Sequence, residues 1–228
     1  TGGQLTLTGS LGHVVRIPVV VQPVALAVPA AVSGTGDPIS YPVTFGYTGS
    51  FTAAARGLVP AVVTAGTVAD DPTDGGCSLT TPNAVLVPVT IDAGTTYARF
   101  SLFDADVNPG SDLDLCVFRG TTSVGSSAGG TSAEEVNLLN PAADTYTVVV
   151  QGWGVDGTTP FALHTWLLGS ADAGNMTVSA PAAAVTGATG MIDLTFSGLT
   201  AGTKYLGSVA YSGSEGMPNP TIVRVDVP

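Results

Sequence analysis

The chain has 228 residues, enough for one large β domain and a smaller one. Only 10% of them are charged, against about 25% in an average soluble domain, and the 30 Gly and 16 Pro point to short strands joined by turns rather than to helices. Seventeen acids against six scattered basic residues leave a net charge of −11, which argues against nucleic acid and anionic membranes as partners, and no apolar run reaches the ~18 residues of a membrane helix.

Residues 1–22 read as a hairpin: Leu5 and Leu7 alternate, Gly9, Ser10 and Gly12 turn the chain, and residues 13–21 return. A lone hairpin is marginal in water, so it is expected to join a sheet of this chain or to be the remnant of a domain whose beginning is missing. The main module is placed at residues 24–169. Residues 39–47 alternate as a strand, with Pro42 suggesting a sheet edge. A strand at 51–58 follows, then an acidic loop at 68–77, a strand at 85–91 carrying Pro88, and an aromatic strand at 97–103. Leu113, Leu115 and Val117 form one face of the next strand, and Asp112, Asp114, Cys116 and Phe118 the other. Further strands are predicted at 123–127, 134–139, 145–153 and 161–168. About ten short strands at this spacing make an all-β, antiparallel β-sandwich or jelly roll. Residues 170–228 hold four more strands and read as a smaller β piece, short of core and able to share a sheet with the 1–22 hairpin.

Asp104, Asp106, Asp112 and Asp114 fall within eleven residues of a chain with few charges. Asp112 and Asp114 share a strand face at roughly 7 Å, where two like charges repel by about 2.4 kcal/mol at an effective dielectric near 20. Two readings follow. One is a calcium site of Asp104, Asp106, Asn108, Asp112 and Asp114, with Glu134 or Glu135 from the neighbouring strand. Oxygen ligands select calcium, but Pro109 and Leu115 exclude an EF-hand loop. The other is a solvated acidic turn beside Arg99 or Arg119. Asp70, Asp71 and Asp74 form a weaker second acidic group. Cys77 and Cys116 are the two cysteines. Paired, they close a loop of about 40 residues worth about 4 kcal/mol on the chain-entropy model; otherwise they are two separate buried thiols.

Gly130-Thr131-Ser132-Ala133 has the look of a serine nucleophile, but a nucleophile needs a base, and the chain has only His13 and His164. Ser132 is therefore read as part of a turn. Trp153 and Trp166 read as core residues, a sugar platform being the alternative. Asn175-Met176-Thr177 is a glycosylation sequon.

Residues 111–120 (SDLDLCVFRG), 126–138 (SSAGGTSAEEVNL) and 140–154 (NPAADTYTVVVQGWG) resemble the bacterial pre-peptidase C-terminal domain, a β-sandwich that follows the catalytic domains of secreted proteases. The matching positions are Asp112, Asp114, Glu134 and Tyr146; Asp144 departs from the glycine that family has there. His13, Val15, Arg16, Pro18 and Val19 resemble the last hairpin of the fibronectin type III-like domain of subtilisin-family proteases. Residues 198–205, ending in Tyr205, resemble a fibronectin type III-like corner in which a tyrosine hydroxyl returns to backbone. Residues 57–72, 95–107 and 170–178 are similar to C-terminal regions of secreted actinobacterial subtilisin-family proteases.

The resemblance implies the non-catalytic C-terminal region of a secreted subtilisin-like serine endopeptidase, supporting stability, secretion or substrate engagement. Its partner would be the protease's own catalytic domain or another extracellular protein. An extracellular adhesion or carbohydrate-binding module is the first alternative, and a surface or filament protein assembling through strand edges the second.

Overall fold

The computed structural model describes residues 2–20 and 24–228. Thr1, Val21 and Gln22, assigned above to the hairpin, lie outside the described residues. Strands β1 (Gly2–Thr8) and β2 (Val14–Val20) pair antiparallel, Gly2 opposite Val20 and Thr8 opposite Val14. The turn is the one expected, closed by the Gly9 N–H donating to the His13 carbonyl at 2.8 Å. Among the described residues the hairpin forms a two-stranded sheet by itself and joins neither sandwich. The expectation that it adds to another sheet of this chain is therefore corrected.

In chain order the rest runs β3 (Leu26–Ala27), β4 (Ala31–Gly34), β5 (Ile39–Phe45), β6 (Gly49–Ser50), β7 (Thr52–Pro60), β8 (Val62–Ala69), β9 (Val85–Ile91), β10 (Tyr97–Ser101), β11 (Asp112–Arg119), β12 (Thr122–Ser127), β13 (Glu135–Leu139), β14 (Asp144–Gly154), β15 (Thr158–Leu168), β16 (Met176–Ser179), β17 (Ala183–Ala184), β18 (Thr189–Phe196), β19 (Lys204–Ser212) and β20 (Thr221–Asp226). The protein is all-β. β8 to β15 make one sandwich, with sheets ordered β13-β10-β15-β8 and β12-β11-β14-β9. Its core is Phe100, Leu113, Leu115, Val117, Val148, Val150, Phe161 and Leu163 with their neighbours. Leu113, Leu115 and Val117 point inward and Cys116 and Phe118 outward, as the alternation requires.

The second sandwich is assembled from both ends of the chain around the first. Its sheets are β16-β18-β5-β3 and β4-β20-β19-β7, closing on Tyr41, Val43, Phe45, Phe51, Ile192, Leu194, Val209 and Val223. The boundary expected near residues 23–24 thus moves to Ala61, the single residue between β7 and β8. Residues 26–60 supply the strands that the C-terminal piece lacks, and the hairpin does not. Pro42 sits opposite Met191 of β18, and β3 reaches only Phe45 and Thr44 on the other flank, so no ladder bond is lost there. The Tyr205 hydroxyl accepts the Thr200 N–H at 3.1 Å, the expected corner. Tyr146 makes a second one, donating to the Ala142 carbonyl at 2.9 Å.

Trp166, Leu168, Leu206 and Ile222 form a third core where the sandwiches meet. The Trp166 indole N–H donates to the Lys204 carbonyl at 3.2 Å, and the Ala61 N–H reaches the same carbonyl at 2.9 Å. Asn175, the sequon residue, has its side chain spent on this frame: it donates to the Leu58 carbonyl at 3.0 Å and accepts the Leu58 N–H at 3.3 Å.

Candidate functional site

The outer face of β11 and β14 carries the chemistry. Between β8 and β9 the chain crosses this face and is held by three devices. The first is the Cys77–Cys116 disulfide, with Cα atoms 6.1 Å apart, as expected. The second is apolar packing of Cys77, Leu79 and Ala84 on Cys116, Phe118 and Val149. The third is the fully buried Asp71 carboxylate. It accepts the Thr73 N–H at 3.0 Å, the Thr73 hydroxyl at 2.8 Å and the Gln151 side-chain N–H at 2.7 Å. Burial alone pushes the Asp71 carboxyl up, but these hydrogen bonds override it and hold the group below the usual range. Asp70 accepts the Val155 N–H at 2.9 Å, and Asp74 is exposed at the loop tip. The second acidic group is thus divided between two loop anchors and a solvated turn.

The six residues of the main acidic set have different fates. Asp106, in a 3₁₀ turn with Asp104, bonds His164 Nε2 at 3.0 Å. Asn108 is tied to β15: its N–H donates to the Thr159 hydroxyl at 2.8 Å and its side chain to the Thr158 carbonyl at 3.1 Å. Glu134 is buried and staples its own loop, accepting from the Ser127 hydroxyl and the Gly129 N–H. Asp104 and Asp112 line a cavity of about 310 Å³ with Gly130 and Thr131. The Asp112 Oδ1 atom is buried without a hydrogen-bond partner. Asp114 lines a different cavity, of about 370 Å³, with Gly76, Cys77, Ala128, Gly129 and Trp153. Among the described residues no three His, Cys, Asp or Glu side chains converge to hold a metal ion.

Neither candidate arginine compensates these acids. Arg99 is bound on the other sheet by Glu135 at 3.1 Å and Asn137 at 2.7 Å, and Arg119 is exposed and paired with Asp144 at 2.9 Å. Burial, then Glu134 and Asp104, raise the Asp112 carboxyl above its ordinary value. Burial, then Asp112 and Glu134, push Asp114 up to about 6.

A pH prediction follows. Between pH 6 and pH 4 the folded chain holds a proton on Asp114 that the unfolded chain has released, so this group adds stability as pH falls through that window and withdraws it as pH rises. Asp114→Asn is therefore expected to raise the melting temperature at pH 7.5 and to change it little at pH 4.5. Calorimetric melts of both proteins across that range check it. Equal differences at the two pH values would contradict the assignment.

Ser132 is fully buried, and its hydroxyl donates to the Ser111 carbonyl at 2.9 Å, a turn contact. His13 is exposed in the hairpin. Trp166 is core; Trp153 is 37% exposed and stands at the cavity wall, against the expectation of burial. β14 bulges opposite Asp112 and Leu113, which sets Trp153 out of step with the ladder and turns its ring to the rim.

Two features were missed from sequence. One is the Gln151–Asp71 pair, signalled only by a polar residue inside the apolar run of β14. The other is a cleft of about 510 Å³ between the sandwiches, walled by Val28, Pro29, Pro220, Tyr97, Arg99 and Asn137 among others. No local pattern announces a cleft made by two sandwiches meeting. No helix among the described residues is long and apolar enough to cross a membrane. No protein-family model matches the chain, and no curated protein matches it significantly.

Proposed function

We propose that this chain is a non-catalytic accessory region of a secreted subtilisin-like serine endopeptidase, seated on the rest of that protein through the β1–β2 hairpin. The hairpin carries the reading. In its register Leu5 faces Ile17, Leu7 faces Val15 and Gly3 faces Val19, so one face is wholly apolar. Gln4, Thr6, Thr8 and Arg16 lie on the other with Val14, Pro18 and Val20. The five large apolar side chains of the first face are each 42% to 55% exposed. Burying such side chains is worth roughly 1.5–3 kcal/mol apiece, and a two-stranded sheet has no interior to bury them in. An amphipathic hairpin of this kind suits the inner face of a sandwich. The resemblance of residues 13–19 to the closing hairpin of a protease's fibronectin type III-like domain supports reading that sandwich as part of the same protein.

The disulfide fits an oxidising, extracellular compartment. The buried, turn-bound hydroxyl of Ser132 supports a supporting rather than a catalytic role. The test is made on the chain together with the coding sequence that precedes Thr1. That sequence should encode a subtilisin-type catalytic domain, and a serine-reactive phosphonate should label a serine there. Labelling of Ser132, or an upstream frame without such a domain, would overturn the reading.

A further inference from the structure

The cavity beside Trp153 has an unusual lining for so acidic a chain. Its only carboxylate is Asp114, 5% exposed, which accepts no hydrogen bond from any described residue and opens into the cavity. A carboxylate largely withdrawn from water, reaching it only through the cavity and bound by no donor among the described residues, asks for a cation. Asp112 and Glu134 add negative potential, and Arg99 and Arg119 are paired with Glu135 and Asp144. The remaining wall is small and apolar: Gly76, Cys77 in its disulfide, Ala128 and Gly129. Facing them is the half-exposed Trp153 indole, the aromatic best suited to attract a cation to its face. A volume of about 370 Å³ is many times that of a bare metal ion and falls in the range of small organic ligands.

We propose that this cavity is a binding site for an organic cation: an ammonium or guanidinium group on an aliphatic arm, as at the end of a lysine or arginine side chain. The charged head pairs with Asp114, the arm lies along the disulfide and Gly129, and Trp153 covers it. The site stands whether or not the chain belongs to a protease. The shared chemistry would serve a basic polypeptide or a free polyamine.

The wild-type protein is titrated with Nα-acetyl-arginine-N-methylamide, Nα-acetyl-lysine-N-methylamide, putrescine, the neutral norleucine analogue and calcium chloride. The indole N–H resonances of Trp153 and Trp166 are followed. Trp166, buried and bonded to Lys204, serves as the internal control for fold. The expected result is a saturable shift of Trp153 alone with the cationic probes and none with norleucine. Isothermal titration calorimetry, which needs no reporter at position 153, reads the affinities of the variants: Asp114→Asn and Trp153→Leu should each weaken binding at least tenfold. Saturation by the amino-acid amides but not putrescine assigns the site to polypeptide; the reverse assigns it to a polyamine. No Trp153 shift with any organic cation, saturation by calcium alone, or an affinity unchanged in both variants would overturn the proposal. If Asp114→Asn disturbs the Trp166 resonance, Trp153→Leu at the rim decides alone.

Discussion

Replacing Cys77 and Cys116 by alanine is expected to destabilise the protein by about 4 kcal/mol, the chain-entropy value for a closed loop of this length. For a chain of this size that is a fall in melting temperature of roughly 8–16 °C. The effect has a local part that separates it from a general loss of stability. The disulfide anchors the β8–β9 loop over Cys116, Phe118 and Val149, and it walls the Asp114 cavity. Without it the loop loses its one covalent tie and keeps only the Asp71–Gln151 anchor, the Asn83 side-chain bond to the Asp70 carbonyl and the packing of Leu79 and Ala84. Proteolysis should therefore cut the double variant between Thr73 and Ala84 well before either sandwich unfolds. Calorimetry and limited proteolysis measure the two parts, and a variant with wild-type melting and an uncut loop would refute the account of this face.

Trp166→Ala has the second large effect. Trp166 fills the junction between the sandwiches, and truncating so large a buried side chain costs about 3–5 kcal/mol. Each sandwich has a core of its own, so the loss falls on the coupling between them. The expected result is a melt that separates into two transitions, where the wild type gives one. Phe103, lying under Lys204 at 4.6 Å and Arg224 at 5.2 Å, belongs to the same junction and is partly buried against it. A single transition at the wild-type temperature would contradict the placing of this core.

Strand identity was readable because a half-buried strand alternates. In β5, Tyr41, Val43 and Phe45 are buried and Ser40, Pro42 and Thr44 exposed, as the residue types announce. Strand partners were not readable, because a period of two names a face and not a neighbour. β5 pairs with β18 and β7 with β19 across an inserted sandwich, whereas short loops favour partners adjacent in sequence. β8 escaped notice for a different reason. Gly66 lies under the Phe161 ring, where an added Cβ would come within 2.5 Å of it, so the strand is small-residued where a ring from its neighbour covers it.

At the acidic loop the residue types are legible in the sequence, and their tertiary partners are not. Carboxylates close in sequence were read as one set, yet Asp106 is drawn off by His164 and Asn108 by Thr158 and Thr159, all on β15. Tertiary hydrogen bonds made some fifty residues away have no local signature. The Asp112 and Asp114 repulsion, by contrast, follows directly from their spacing of two, and the structure leaves it uncompensated.

The docking role proposed for β1–β2 is tested most directly by hydrogen exchange of its backbone amides in this chain and in a longer protein that joins it to the subtilisin-type region proposed above. A lone two-stranded sheet with its apolar face in water opens readily, so these amides should exchange almost unprotected in the chain by itself. In the longer protein they should slow at least a hundredfold, while β11 and β14 remain unchanged. Fast exchange in both proteins, or strong protection in the chain alone, would contradict the account.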